Sequence, residues 1–218
     1  SSLCITFDKH PSTVIAPERA PLLIQSLDQR LEAISALSVD ATLILPFDEA
    51  MSQIPAEAFI QGLAVDLGRI SSICVGAQFA FGQGRKGNVD LLHQLGQELH
   101  FVAHGTASVA LDGETVSSTR IRQAIAGGQL DLAGQMLGRE YALAGRVIRG
   151  DQRGRELGFP TANLEITGRC TPPNGVYAAH AEVDGEHYRA AVNIGLRPTM
   201  KDPEPTLHVE AHLLDWIK

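Results

Sequence analysis

The sequence predicts an α/β domain built on a parallel sheet, followed by a small antiparallel β-barrel domain. Up to residue 138, short apolar runs alternate with stretches of helical spacing, a pattern that implies parallel strands covered by helices. From residue 139 onward the helical spacing stops, and alternating runs separated by Gly and Pro turns take over. The 218 residues suffice for two modest domains. The boundary is expected between Leu137 and Tyr141, dividing residues 1–138 from 139–218.

Composition narrows the function classes. A net charge of −7 argues against non-specific nucleic-acid binding, so any phosphate site has to be a local cluster of arginines. No long apolar run or signal peptide is found, which predicts a soluble protein without a membrane partner. The three cysteines are odd in number and widely spaced. Cys4 and Cys74 lie in apolar runs and are expected to be buried thiols, favouring a reducing cytoplasm over a disulfide framework. A homo-oligomer is left open.

The first half reads element by element. Residues 3–7 form an apolar run, expected as a buried strand that exits into Asp8-Lys9-His10-Pro11. Open α/β sheets place ligands at the C-terminal ends of strands, so His10 is either a ligand contact or part of a plain loop. Residues 22–37 carry helical spacing through Leu23, Leu27, Leu31, Ile34 and Leu37. Residues 41–45 read as a strand stopped by Pro46. A helix over 55–67 opens on proline, which suits a first turn. A strand over 70–75 leads into a glycine-rich loop, 76–87, then a helix over 89–99 and a short strand over 101–103. In the loop, Gly82, Gly84 and Gly87 match a Gly-x-Gly-x-x-Gly spacing, but one such match does not make a dinucleotide fingerprint, and no nicotinamide cofactor is expected. Ser117, Ser118 and Thr119 precede a helical stretch that ends at Gly127-Gly128. They can act as ordinary caps or, with Arg122 one turn in, as a phosphate site at a helix N-terminus.

In the second half, strands are expected over 141–148, 176–183, 188–194 and 207–214, with Asp184-Gly185 as a hairpin turn. The segment Arg153-Gly154-Arg155-Glu156-Leu157-Gly158-Phe159-Pro160-Thr161-Ala162-Asn163 joins flexible glycines to arginine donor forks suited to phosphate. Thr161 and Asn163, two apart on an extended segment, point the same way and can reach one cation or one phosphate oxygen. A Gly-rich hairpin with solvated charges is the plain alternative. Around Glu210 the apolar residues occupy every second position, which is a strand, with Thr206, His208, Glu210 and His212 on its other face. That face is solvent-exposed or functional. Strand spacing argues against a zinc site at His208 and His212.

Gly150 through Asn163 resembles the nucleotide-binding signature of riboflavin kinases. Three further motifs follow in the family's order: Pro173-Asn174-Gly175-Val176-Tyr177-Ala178, Asn193-Ile194-Gly195-Leu196-Arg197-Pro198-Thr199, and Val209-Glu210-Ala211-His212-Leu213-Leu214-Asp215. The region before them is similar to the adenylyltransferase half of the bacterial bifunctional riboflavin kinase/FAD synthetase (FMN adenylyltransferase) family. The resemblance implies a Rossmann-like nucleotidyltransferase domain ahead of the barrel. It implies MgATP binding through Gly150, Gly154, Arg155, Gly158, Thr161 and Asn163, with Thr161 and Asn163 toward Mg²⁺. Glu210 falls at the kinase general base, and the 193–199 segment beside the substrate. Thr6 to Pro11 resembles the family's Thr-Phe-Asp-x-His-Pro motif, which implies that His10 lies near the nucleotide. The Ser-Ser-Thr-x-x-Arg motif of nucleotidyltransferases falls on Ser117, Ser118, Thr119 and Arg122. The family's flavin-side loop falls on Gln78, Phe79 and Phe81. The implied substrates are ATP, riboflavin and FMN.

The chain departs from the family in four ways. Gln78 stands where Asp or Asn is usual, and Ala80 where a polar or basic residue is usual. No His-x-x-His or His-x-Gly-His pair occurs among its eight histidines, and the last residues stop where the kinase half usually continues. The sequence is therefore expected to be part of a longer protein, lacking both termini. Two alternatives stay open: a riboflavin kinase with a degenerate N-terminal domain, and a flavin- or nucleotide-binding module without catalysis.

Overall fold

The computed structural model describes residues 1–149, 159–199, 202–214 and 216. The elements run β1 (Leu3–Phe7), α1 (Ser12–Ile15), α2 (Leu27–Ser35), β2 (Ala41–Leu45), α3 (Glu49–Ser52), α4 (Ala56–Leu67), β3 (Ser72–Gly76), α5 (Val89–Leu99) and β4 (Val102–Thr106). They continue as β5 (Ala110–Leu111), β6 (Glu114–Thr115), α6 (Ser118–Ala126), α7 (Leu130–Leu137), β7 (Arg146–Ile148), β8 (Ala162–Glu165), β9 (Gly175–Val183), β10 (Glu186–Thr199) and β11 (Asp202–Leu213). Two compact units result, one of Ser1–Pro21 with Leu31–Val116, the other of Leu22–Arg30 with Ser117–Lys218.

The first unit is α/β with parallel strands. β1 pairs with β2 and β3 with β4, each in parallel and each as a separate two-stranded ladder among the described residues. α4 and α5 pack on β3 and β4 around Ala56, Ile60, Leu92, Leu95, Phe101 and Ala103. Leu92 is fully buried, a burial that stabilises by about 1.5–3 kcal/mol. Asn88 caps α5, its side chain accepting the Leu91 N–H at 2.9 Å. The expectation for the cysteines is corrected here. Cys4 is half-buried and Cys74 is exposed. In β3 exposure alternates along the strand, so Cys74 takes the outer parity while Ile73 and Val75 take the core.

The helix expected over 22–37 is also shorter than its apolar spacing suggests. Ser26 and Gln29 form a capping box: the Ser26 Oγ accepts the Gln29 N–H at 3.0 Å and the Gln29 Oε1 accepts the Ser26 N–H at 2.9 Å. This reciprocal pair starts α2 at Leu27. Leu23 instead exchanges backbone bonds with Gly168 and Cys170, at 2.8 and 2.9 Å.

In the second unit an antiparallel sheet runs in the order β7-β8-β11-β10-β9. It is not closed among the described residues, since β7 and β9 are its two edges. Asp184 and Gly185, at φ 53° and 81°, turn β9 into β10, the double positive φ of a tight hairpin. Ile194 and Val209, facing partners in the ladder, are both almost fully buried and pack with Ile166, Leu164, Tyr177 and Val192. The strand expected over 141–148 shrinks to β7. Upstream of it, side chains claim the groups a ladder would use. The Ala142 carbonyl accepts from the Gln29 amide at 2.9 Å, and the half-buried Tyr141 hydroxyl donates to the Cys170 carbonyl. Burial holds the Tyr141 hydroxyl above the ordinary tyrosine range. α1, α3, β5, β6 and α7 have no counterpart in the sequence reading.

Candidate active site

The second unit carries a polar row across three neighbouring strands. Asn163 on β8 faces Glu210 on β11, and Glu210 faces Asn193 on β10. Directly opposed residues of antiparallel strands project to one face with Cβ atoms about 5 Å apart. The row therefore sets a carboxylate between two amides. One residue along the strands, Leu164, Val209 and Ile194 point to the core. The parity that buries Val209 is what turns Glu210 to the other face. Asn163 is nevertheless 9% exposed, against an exposed Thr161 two residues earlier.

His212 shares the parity of Glu210. Its ring Nδ1 lies 2.8 Å from the Pro160 carbonyl, and the ring meets Phe159 edge-on, centroids 5.7 Å apart. Residues four apart on a strand are separated by about 13 Å, so His208 and His212 do not converge as they would on a helix. Gly150, Gly154, Arg155 and Gly158 lie outside the described residues.

At the exit of β1, Asp8 and His10 are already engaged. One Asp8 carboxylate oxygen accepts the Phe47 N–H at 2.8 Å, tying the exits of β1 and β2 together. That bond holds the Asp8 carboxyl below its ordinary range, with Lys9 adding in the same direction. His10 Nδ1 accepts the Ser12 N–H at 3.1 Å, which leaves any ring proton to Nε2 in the neutral form.

The loop after β3 folds back on itself, Phe81 and Gly87 exchanging both backbone bonds at 3.1 and 2.9 Å. Phe79, 41% exposed, stacks on buried Phe81 with centroids 5.4 Å apart. Gln78 is exposed. A Cβ on Gly82 or Gly87 would lie 2.5 or 2.6 Å from atoms of Ala56. These glycines let the loop close onto the start of α4, which accounts for their spacing without a dinucleotide.

Ser117 caps α6, its Oγ accepting the Arg120 N–H at 3.2 Å. Ser118 and Thr119 follow in the exposed first turn. Ser118 and Arg122 are four apart and so share a helix face, but the Arg122 Nε donates to the Leu22 carbonyl at 2.6 Å.

Among the described residues, no three His, Cys, Asp or Glu side chains converge as a metal site. Thr161, Asn163 and Glu210 supply hard oxygen donors, the kind that Mg²⁺ takes together with nucleotide phosphates. Sequence reading named Asn193 and His212 but gave neither side chain a role in the site. Both lie inside motifs it had singled out, but only the strand register brings them beside Glu210 and Pro160.

Comparison with known proteins adds an independent line. The FAD synthetase family model matches residues 1–120, and the riboflavin kinase family model matches residues 137–218. The chain is 35% identical over 215 residues to a bifunctional riboflavin kinase/FMN adenylyltransferase from Pseudomonas fluorescens, covering 99% of this chain and 68% of the relative. The corresponding enzyme of Escherichia coli K12 is 37% identical over 214 residues, covering 98% and 68%. A solved structure described as a macrolide-efflux protein from Streptococcus pneumoniae superposes with a TM-score of 0.80 at 26% identity, over 99% of this chain and 70% of that one. Its description differs from the other findings. Among the described residues, no helix is long and apolar enough to cross a membrane.

Proposed function

Because the chain belongs to the bifunctional riboflavin kinase/FMN adenylyltransferase family, we propose that it serves flavin cofactor synthesis through two chemistries, phosphorylation of riboflavin to FMN by residues 139–218 and adenylylation of FMN to FAD by residues 1–138. The observation that carries the kinase reading is the row Asn163–Glu210–Asn193. Glu210, held on a paired strand, accepts the proton of the riboflavin 5′-hydroxyl as its oxygen attacks the γ-phosphorus in line and ADP departs. Thr161 and Asn163 hold the MgATP end of the site, with the segment of Gly150, Gly154, Arg155 and Gly158 on the phosphates. Mg²⁺, when bound, neutralises phosphate charge. The five strands belong to a small antiparallel barrel, with the 193–199 segment beside the substrate.

For adenylyl transfer, the FMN phosphate attacks the α-phosphorus of ATP and pyrophosphate leaves. Ser117, Ser118 and Thr119 offer hydroxyls and the free N–H groups of a helix start to the phosphates, with Arg122 on the same face. His10 is assigned to the nucleotide and Gln78, Phe79 and Phe81 to the flavin, in a Rossmann-like domain. A kinase-only reading is favoured by one observation, the commitment of the Arg122 Nε to the Leu22 carbonyl. The enzyme works in the cytoplasm.

The test is to incubate the full-length protein with riboflavin, ATP and Mg²⁺ and to separate FMN from FAD by chromatography. Both products are expected. FMN alone would select the kinase-only reading, and flavin or ATP binding without turnover would select a binding module.

A further inference from the structure

We propose that His212 is a positioning residue of the phosphoryl-transfer site, its ring N–H holding the Pro160 carbonyl so that Thr161 and Asn163 keep their places opposite β11. The inference rests on the kinase reading above. The β8–β11 ladder pairs Leu164 with Val209, Asn163 with Glu210 and Ala162 with Ala211. The ladder ends at Ala162 and Ala211; its register, carried one step outward, sets Thr161 opposite His212, and beyond it Pro160 has no N–H with which to extend the pairing. The His212 side chain takes over: its Nδ1 lies 2.8 Å from the Pro160 carbonyl. A carbonyl only accepts, so Nδ1 carries the proton and donates.

The same ring meets Phe159 edge-on at 5.7 Å. Two consecutive residues immediately before Thr161 are thus fastened to the strand that bears Glu210. An extended segment fastened on both sides of Thr161, by the Ala162 pairing and by the imidazole, leaves the Thr161 hydroxyl little freedom to swing. The role falls on orientation, since His212 touches backbone and a phenyl ring. Because Thr161 and Asn163 are the residues that hold MgATP, a positioning error of this kind is felt in the hold on MgATP more than in folding.

The experiment compares His212→Phe, which keeps a ring against Phe159 but has no donor, with His212→Asn, which keeps an N–H donor. Both are made in the full-length protein, alone and combined with Thr161→Ala. In His212→Phe the KM for MgATP in riboflavin phosphorylation is expected to rise about five- to tenfold, the worth of one misplaced hydrogen bond, with the KM for riboflavin unchanged. His212→Asn recovers most of that loss. In the Thr161→Ala background His212→Phe adds less than about twofold, because the two act as one unit. Adenylylation of supplied FMN is the internal control, and urea midpoints separate folding from positioning. Should His212→Phe not fold, His212→Gln, with its donor displaced by one methylene, has to show the same rise in KM.

A wild-type KM for MgATP in His212→Phe overturns the proposal. So does full additivity with Thr161→Ala, or a His212→Asn variant as impaired as His212→Phe; either makes the ring plain packing. If the unmodified protein makes no FMN, or Glu210→Gln makes it at the full rate, the kinase reading itself fails. Normal kinase behaviour with a neutral His212→Phe sinks the positioning role alone.

Discussion

Glu210 stands directly opposite Asn163 in the β8–β11 ladder. The pairing joins two residues 47 positions apart in sequence and puts a carboxylate beside an amide on a rigid sheet. Strand pairing of this kind fixes side-chain direction without relying on a loop, which suits a group that has to meet a hydroxyl in one orientation.

Replacing Glu210 by Gln keeps the shape and removes the proton acceptor. Riboflavin phosphorylation is expected to fall by about 10²–10⁴-fold, the usual worth of a general base. FAD formation from supplied FMN is expected to continue. Product separation after incubation with riboflavin, and in parallel with FMN, checks both halves of the statement. Equal loss of the two activities would mean a folding defect.

The loop after β3 offers a test of close packing. A Cβ on Gly87 would lie 2.6 Å from the Ala56 Cβ and 2.8 Å from the Phe81 ring. Gly87→Ala is expected to cost about 1–3 kcal/mol, as overpacking does, and to disturb the Phe79–Phe81 stack. Chemical denaturation gives the first quantity. An unchanged midpoint would mean the loop does not seat on α4 as described.

The capping box at the start of α2 makes a smaller, separable prediction. Ser26→Ala removes the hydroxyl that accepts the Gln29 N–H and is expected to cost about 1 kcal/mol. Ser26→Asp, which can still accept that N–H, is expected to retain most of the stability. A urea titration of the three proteins decides it.

Asp8 gives the stability a pH dependence of known sign. Its folded carboxyl is held below the ordinary value of 3.8, first by the Phe47 N–H, which outweighs the opposing desolvation, and then by the weaker pull of Lys9. A depressed folded value means a stabilising contribution present above the unfolded value and lost as pH falls through the folded one. Asp8→Asn is therefore expected to be less stable than wild type at neutral pH. The gap should narrow as the pH drops below about 4. Thermal midpoints measured from pH 7 to pH 3 test this, and a gap independent of pH would assign the effect to the lost shape of the carboxylate.

Local pattern determined much of this protein without reference to its fold. The period-two run around Glu210, the Asp184-Gly185 turn, the Ser117 cap and the alternation of strands and helices are all set by near neighbours, through the pleat, the sign of φ and the first turn of a helix. Tertiary structure decided everything that depends on a partner far along the chain. Apolar spacing in residues 22–37 reads as one helix because periodicity is blind to the Ser26–Gln29 box and to the backbone partners that Gly168 and Cys170 offer Leu23. Cys74 looks buried in an apolar run because a run does not say which parity meets α4 and α5. Glu210 could be read as a strand residue with one free face. That Asn163 and Asn193 flank it, and that His212 reaches Pro160, follows only from the register of β8, β11 and β10, which long-range pairing of buried residues such as Val209 and Ile194 enforces.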